Sequence, residues 1–266
     1  MAEPAYEQRY CAFVDILGFG ELIDRLNQGQ TSFRSLQELL TKVHNPPPTT
    51  ASTHEESDFR AQSISDAVAL SAAINTAGIG AIIHSINRLA VDLLTRGFFI
   101  RGAIVKDDLY HDDKMVFGKA LVRAYRLETS VAEYPRVMVA QEVVRDVRKI
   151  DDATAKRLLR QSEDGPIFLH LLRAIEMDML PVDPGKQKWR RRFDDESFHG
   201  KLLPYIGIAD QIQRRFDEAT DNPNHFKKIK WFASYWNRTI QDWNVDGFRY
   251  IIGPGLETCD LGFLPK

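Results

Sequence analysis

From Ile79 to Leu94 the apolar residues Ile79, Ile82, Ile83, Ile86, Leu89, Leu93 and Leu94 recur at helical spacing, and Gly97 supplies a stop. Phe98 to Val105 follows at once as a strand. A helix with so wide an apolar face needs a sheet or other helices to bury it, which forces a layered fold. Upstream, Tyr10 to Ile16 is a short apolar strand ending near Asp15, and Gly18 and Gly20 turn it into an amphipathic helix through Leu22, Ile23 and Leu26. Gln62 to Ser71 reads as two short strands hinged at Ser65 and Asp66.

Downstream come a polar turn at Asp107 to Asp113, a short segment Met115 to Phe117, a helix from about Gly118 to Glu128 and a strand Val137 to Ala140. A second early helix, with Phe33, Leu36, Leu39, Leu40 and Val43 on one face, stops at Pro46, Pro47 and Pro48, and Thr49 to Asp58 reads as a loop. The order strand, helix, hairpin, helix, strand, helix, strand predicts an α+β sandwich, a ferredoxin-like mixed sheet with helices on one face. Residues 1–150 form that core, and 151–266 a helical C-terminal extension packing on the core or on a partner subunit. Its long helix carries Ile229, Phe232, Trp236, Ile240 and Trp243 on one stripe.

Formal charge is −2, from 35 basic and 37 acidic residues, so no whole-molecule field favours nucleic acid or anionic lipid. A phosphate-handling site must be local. The one dense basic run, Trp189 to Arg192, reads as a solvated loop. No apolar run reaches the roughly 20 residues of a membrane span and the first ten residues lack a secretory pattern, so a cytoplasmic protein without membrane insertion is expected. Cys11 and Cys259 read as free thiols.

Asp15 at a strand end and Asp66 at a hairpin tip are the two carboxylates in structurally special places. Two aspartates and a main-chain carbonyl suit Mg²⁺ or Mn²⁺, whose remaining positions go to water and substrate phosphates. Read alone, Asp15 is equally a helix cap and Asp66 a turn residue.

Three segments together resemble the class III nucleotidyl cyclases. Phe13-Val14-Asp15-Ile16-Leu17-Gly18-Phe19 resembles the first metal motif of that family, Ile64-Ser65-Asp66-Ala67-Val68 the second, and Gly118 to Glu128 the catalytic helix. The resemblance implies two divalent cations, Mn²⁺ or Mg²⁺, on Asp15, Asp66 and the Ile16 carbonyl. It further implies a triphosphate cradled by the amides of Gly18, Phe19 and Gly20, with Arg126 stabilising the pentavalent phosphorus. Since the family's sites are composite, it implies a homodimer in which Arg126 comes from the other subunit.

Val122 stands where purine cyclases carry an asparagine, and Gln62 and Met115 stand where they read the base. Those departures resemble the bacterial pyrimidine cyclases of the Pycsar anti-phage systems, as do Arg101-Gly102 and Tyr134-Pro135-Arg136. The implied reaction turns UTP, in preference to CTP, into a cyclic monophosphate that acts on a separate effector. Arg60, Gln62 and Arg101 are the base-contact candidates. Two rival readings are a degenerate cyclase-like nucleotide-binding module and a polymerase palm, the latter opposed by the absence of a basic channel.

Overall fold

The computed structural model describes residues 5–30, 32–34, 37–38, 41, 54–179, 200, 202–243 and 247–256. In the first part of the chain β1 (Glu7–Leu17) leads into α1 (Phe19–Asn27), and a short helix α2 (His54–Ser57) precedes the hairpin β2 (Arg60–Ile64) and β3 (Ala67–Ala72). Then come α3 (Thr76–Leu94), β4 (Phe99–His111), β5 (Val116–Phe117), α4 (Lys119–Ser130), β6 (Val137–Val139) and α5 (Gln141–Ile150). After them follow α6 (Asp152–Leu158), β7 (Leu159–Gln161), β8 (Ile167–Leu169), α7 (Arg173–Met179), α8 (Ile208–Glu218) and α9 (Pro223–Trp243).

The strands form one mixed sheet in the order β2-β3-β1-β4-β6-β8-β7, with β5 paired to β4. At its centre β1 pairs antiparallel with both β3 and β4, while β6 runs parallel to β4. A mixed sheet with helices is therefore the architecture, as the element order predicts. Cover by helices extends to both faces, however. Cys11, Val105 and Leu109 pack with Ala120 and Ala124, so α4 lies on one face, and its two alanines allow close approach. On the opposite face the Tyr10 hydroxyl donates to Asp146 of α5 at 3.1 Å, and Lys106, its neighbour across the ladder, pairs with the same carboxylate.

β4 runs to His111 instead of ending at Val105. Lys106 pairs with Asp146, and Asp107 with Arg123 at 2.7 Å and Lys119 at 3.2 Å. Residues 54–57 are helical where a loop was expected, tied down by Ala73 N–H donating to the Ser57 carbonyl at 2.9 Å. α3 matches a membrane span by length and composition, yet 72% of that window is buried inside the protein.

The first compact unit comprises residues 1–92 and 98–173, reaching past residue 150 because β7 and β8 extend the sheet. The second comprises residues 93–97 and 174–266. Within it the predicted stripe Ile229, Phe232, Trp236, Ile240 and Trp243 is buried, and Trp236, Trp243 and Phe248 pack ring against ring at 5.1–6.3 Å. Asn237 both donates to the Ile251 carbonyl at 2.8 Å and accepts from the Ile251 amide at 2.7 Å, pinning the chain beyond α9. Cys11 is a free, buried thiol, pushed up to about 12 by burial. Most of the Phe33 to Val43 stretch, Thr49 to Thr53, the Trp189 to Arg192 run and Cys259 lie outside the described residues.

Candidate functional site

Asp15 and Asp66 converge through backbone pairing. Asp15 faces Ala67 across the β1–β3 ladder, and the Ile16 amide donates to the Asp66 carbonyl at 2.8 Å. Ser65 adopts φ 57°, a left-handed conformation that closes the two-residue tip and leaves Asp66 exposed. Asp15 is partly covered, its side chain 18% exposed.

Immediately after Asp15 the chain turns. Gly18 has φ 85° and ψ 16° and caps α1 without any side-chain hydrogen bond to the first amides. The first intrahelical bond runs from Leu22 N–H to the Gly18 carbonyl at 3.1 Å, so the amides of Phe19 and Gly20 before it have no partner within the helix. A Cβ on Gly20 would meet nothing within 4 Å, so open space lies over that turn. Such a helix start attracts anions.

Arg101 lies opposite Asp15 in the β1–β4 register. Its guanidinium reaches Asp15 at 3.4 Å and Glu128 at 2.5 Å. Glu128 on α4 is 2% exposed. Burial pushes its carboxyl above the usual range; Arg101 opposes that shift, while the charges of Asp15 and Asp66 reinforce it. Asp15 and Asp66 thus act on Glu128, and the Arg101 guanidinium lies against Glu128 and Asp15. Sequence reasoning missed Glu128, although one signal was readable: it continues the buried Ala120–Ala124 stripe at four-residue steps.

Arg126 points away from this group. It is exposed and makes no ion pair with a described residue of its own chain. Val122, one turn earlier, is 47% exposed and Tyr125 52% exposed, so the outer face of α4 is apolar around the arginine.

The base-contact candidates fare differently. Arg60 and Gln62 do share the Asp15 face, since they pair with Ser71 and Ala69, which oppose Cys11 and Phe13. Arg60, however, is committed to Asp58 at 2.9 Å and to the His111 carbonyl. It belongs to a polar cluster in which buried Arg9 pairs with Asp58 at 2.5 Å and donates to Ser71 at 3.2 Å, and Ser71 contacts His111 at 2.8 Å. Arg101 is likewise committed to two carboxylates. Gln62 donates its amide N–H to the Lys114 carbonyl at 3.2 Å, and its Oε1 is buried without a partner. Met115 is 49% exposed.

Among the described residues no group of three or more His, Cys, Asp or Glu side chains is placed to hold a metal ion. Asp15, Asp66 and the Ile16 carbonyl nevertheless fit a hard divalent cation that completes its shell with water and phosphate oxygens.

No family model matches the chain, and no curated protein matches it. Among solved structures it is similar to the monomeric guanylyl cyclase domain of the RhoGC fusion protein from the aquatic fungus Blastocladiella emersonii, at 13% identity and a TM-score of 0.42, over 64% of this chain and 98% of that one. An adenylate/guanylate cyclase/hydrolase from Silicibacter pomeroyi aligns at 18% identity and a TM-score of 0.35, over 61% and 95%. A class III adenylyl cyclase-like ATP-binding protein from Pseudomonas aeruginosa aligns at 11% identity and a TM-score of 0.36, over 55% and 36%.

Proposed function

We propose that the chain is a nucleotidyl cyclase acting on a pyrimidine nucleoside triphosphate, UTP or CTP, with two divalent cations, Mn²⁺ or Mg²⁺. The observation that carries this reading is the convergence of Asp15 and Asp66 beside the uncapped start of α1. In the reaction the ribose 3′-oxygen bonds to the α-phosphorus, the bond from that phosphorus to the β-bridging oxygen breaks, and pyrophosphate leaves. The hydroxyl proton passes to solvent. When bound, the cations lower the pKa of the 3′-hydroxyl and offset charge on the leaving oxygens.

Asp15, Asp66 and the Ile16 carbonyl hold the cations. The opening amides of α1, at Gly18, Phe19 and Gly20, donate to the triphosphate, and the bare Gly20 lets phosphate approach the backbone. Arg126, exposed and without an ion pair to any described residue, serves the active site of a second protomer, which makes the enzyme a homodimer with two composite sites. A pyrimidine substrate follows from Gln62 and Met115, which lack the charged pairing that reads a purine edge. Arg60, Gln62 and Arg101, the donors that would favour a uracil carbonyl, are each engaged within the chain, so the proposal covers both nucleotides. The cyclic product would act on a separate effector in anti-phage signalling.

Incubation with the four ribonucleoside triphosphates and Mn²⁺, followed by mass analysis, tests the reading. Cyclic UMP or cyclic CMP with pyrophosphate supports it. Binding without turnover favours the degenerate module, to which Val122 points.

A further inference from the structure

We propose that the groove between α5, α6 and β7 is a binding site for a small phosphate monoester with an apolar body, separate from the proposed active site.

The groove encloses about 190 Å³ and is lined by Arg148 in the last turn of α5, by Asp152 and Lys156 of α6, and by Arg160 of β7. In the sheet order β7 stands four strands from β1, which at about 4.8 Å per strand is roughly 19 Å from the strand that carries Asp15. Pockets for drug-sized ligands begin at roughly 300 Å³, so this one takes a smaller molecule than a nucleoside triphosphate.

Three cations line the groove against one carboxylate, and that carboxylate is already paired, Asp152 with Lys156 at 2.7 Å. Arg148 is exposed and bonds to no described residue. Arg160 is half-buried and oriented by its own chain. Its Nη1 donates to the main-chain carbonyls of Lys156 at 2.8 Å, Leu159 at 3.1 Å and Arg157 at 3.5 Å, around the end of α6. Those bonds hold the guanidinium in place, while Nε and Nη2 keep their hydrogens for another acceptor. No carboxylate among the described residues pairs with either arginine.

A held guanidinium and an unpaired one on a neighbouring helix suit a tetrahedral oxyanion, whose terminal oxygens accept from both forks at once. A phosphate monoester carries nearly two negative charges near neutral pH, matching three cations less one carboxylate. A carboxylate ligand, with one charge, leaves a cation over. Buried Ala155 and half-buried Leu159 and Ile167 also line the groove, and they give an apolar wall to the carbon body that inorganic phosphate lacks.

The test is isothermal titration calorimetry of the full-length protein in EDTA, which keeps divalent cations out of the measurement. Phenyl phosphate is the probe, with inorganic phosphate and phenol as its separate halves. Phenyl phosphate should saturate a single site and bind more tightly than inorganic phosphate, while phenol should give no heat of binding. Arg148→Gln should weaken phenyl phosphate roughly 10–150-fold, the loss of one hydrogen bond to a charged partner, and because Arg148 is exposed the fold should persist. No saturable binding by wild type, equal affinity in Arg148→Gln, or inorganic phosphate bound as tightly as phenyl phosphate overturns the proposal. A phosphotyrosine flanked by glycines presents the same head on a peptide, and tighter binding of that peptide overturns a free small molecule as the occupant.

Discussion

The Ile16 amide and the Asp66 carbonyl, 2.8 Å apart, fasten the tip of the β2–β3 hairpin to the end of β1. This bond is main chain to main chain, so it survives any change of the Asp66 side chain. It also fixes the backbone segments that carry the two proposed cation ligands relative to each other.

Asp15→Ala and Asp66→Ala should therefore each reduce cyclic nucleotide formation to background while the fold persists. Asp66 is exposed, and its substitution should alter stability by less than about 1 kcal/mol. Product analysis by mass together with thermal melting checks both halves. Near wild-type cyclisation by either variant overturns the assignment.

Mixing Asp66→Ala chains with Arg126→Ala chains should restore part of the activity that each lacks alone. In a mixed dimer one of the two composite sites then holds intact groups from both chains. Since Arg126 is exposed and has no ion pair with a described residue, its removal should leave the fold intact. A dead mixture in which mixed dimers demonstrably form rules out the shared site.

The parts of this site carried by local pattern were legible in the sequence. A short apolar run marked β1, Gly18 marked the turn after Asp15, and polar Ser65 and Asp66 marked the hairpin tip. What depended on pairing between distant segments was not. Asp107 read as a turn residue because its partner Arg123 lies elsewhere in the chain. The engagement of Arg60 with Asp58 could not be read from spacing. Strands β7 and β8, of three residues each, are too short to show an alternation, and β7 reads Leu-Arg-Gln.

The polar cluster around His111 gives the fold a pH dependence of its own. Burial, then the charges of Arg9 and Arg60, lower the His111 pKa from 6.5 to about 4. The folded state thus favours the neutral ring, and the unfolded chain binds the extra proton between those values. Stability from this residue is fully present above pH 6.5 and is lost as pH falls toward 4, an effect on the order of 3 kcal/mol. Melting temperatures recorded across that window should fall more steeply for wild type than for His111→Gln. Parallel slopes would show that His111 is not the titrating group.

The last prediction concerns the base. Lys114 offers a carbonyl to Gln62, so the Gln62 amide nitrogen must face it, and the atom left over is the acceptor Oε1. An acceptor on this face calls for an N–H on the base edge. Uracil presents N3–H and cytosine its exocyclic amine, so either pyrimidine satisfies Gln62, and the discrimination between them falls to a second contact. Gln62→Leu deletes the acceptor and leaves the base N–H without a partner, at a cost of about 1–3 kcal/mol, or roughly a factor of 5 to 150 in kcat/KM for the preferred pyrimidine. Stability should change little, because Gln62 is only partly buried and its one bond is to a main-chain carbonyl at a hairpin turn. The decisive measurement is competition among equal concentrations of the four triphosphates, run on wild type and on Gln62→Leu. A dominant cyclic AMP or cyclic GMP product in wild type would sink the pyrimidine assignment, and an unchanged product ratio in the variant would remove Gln62 from base recognition.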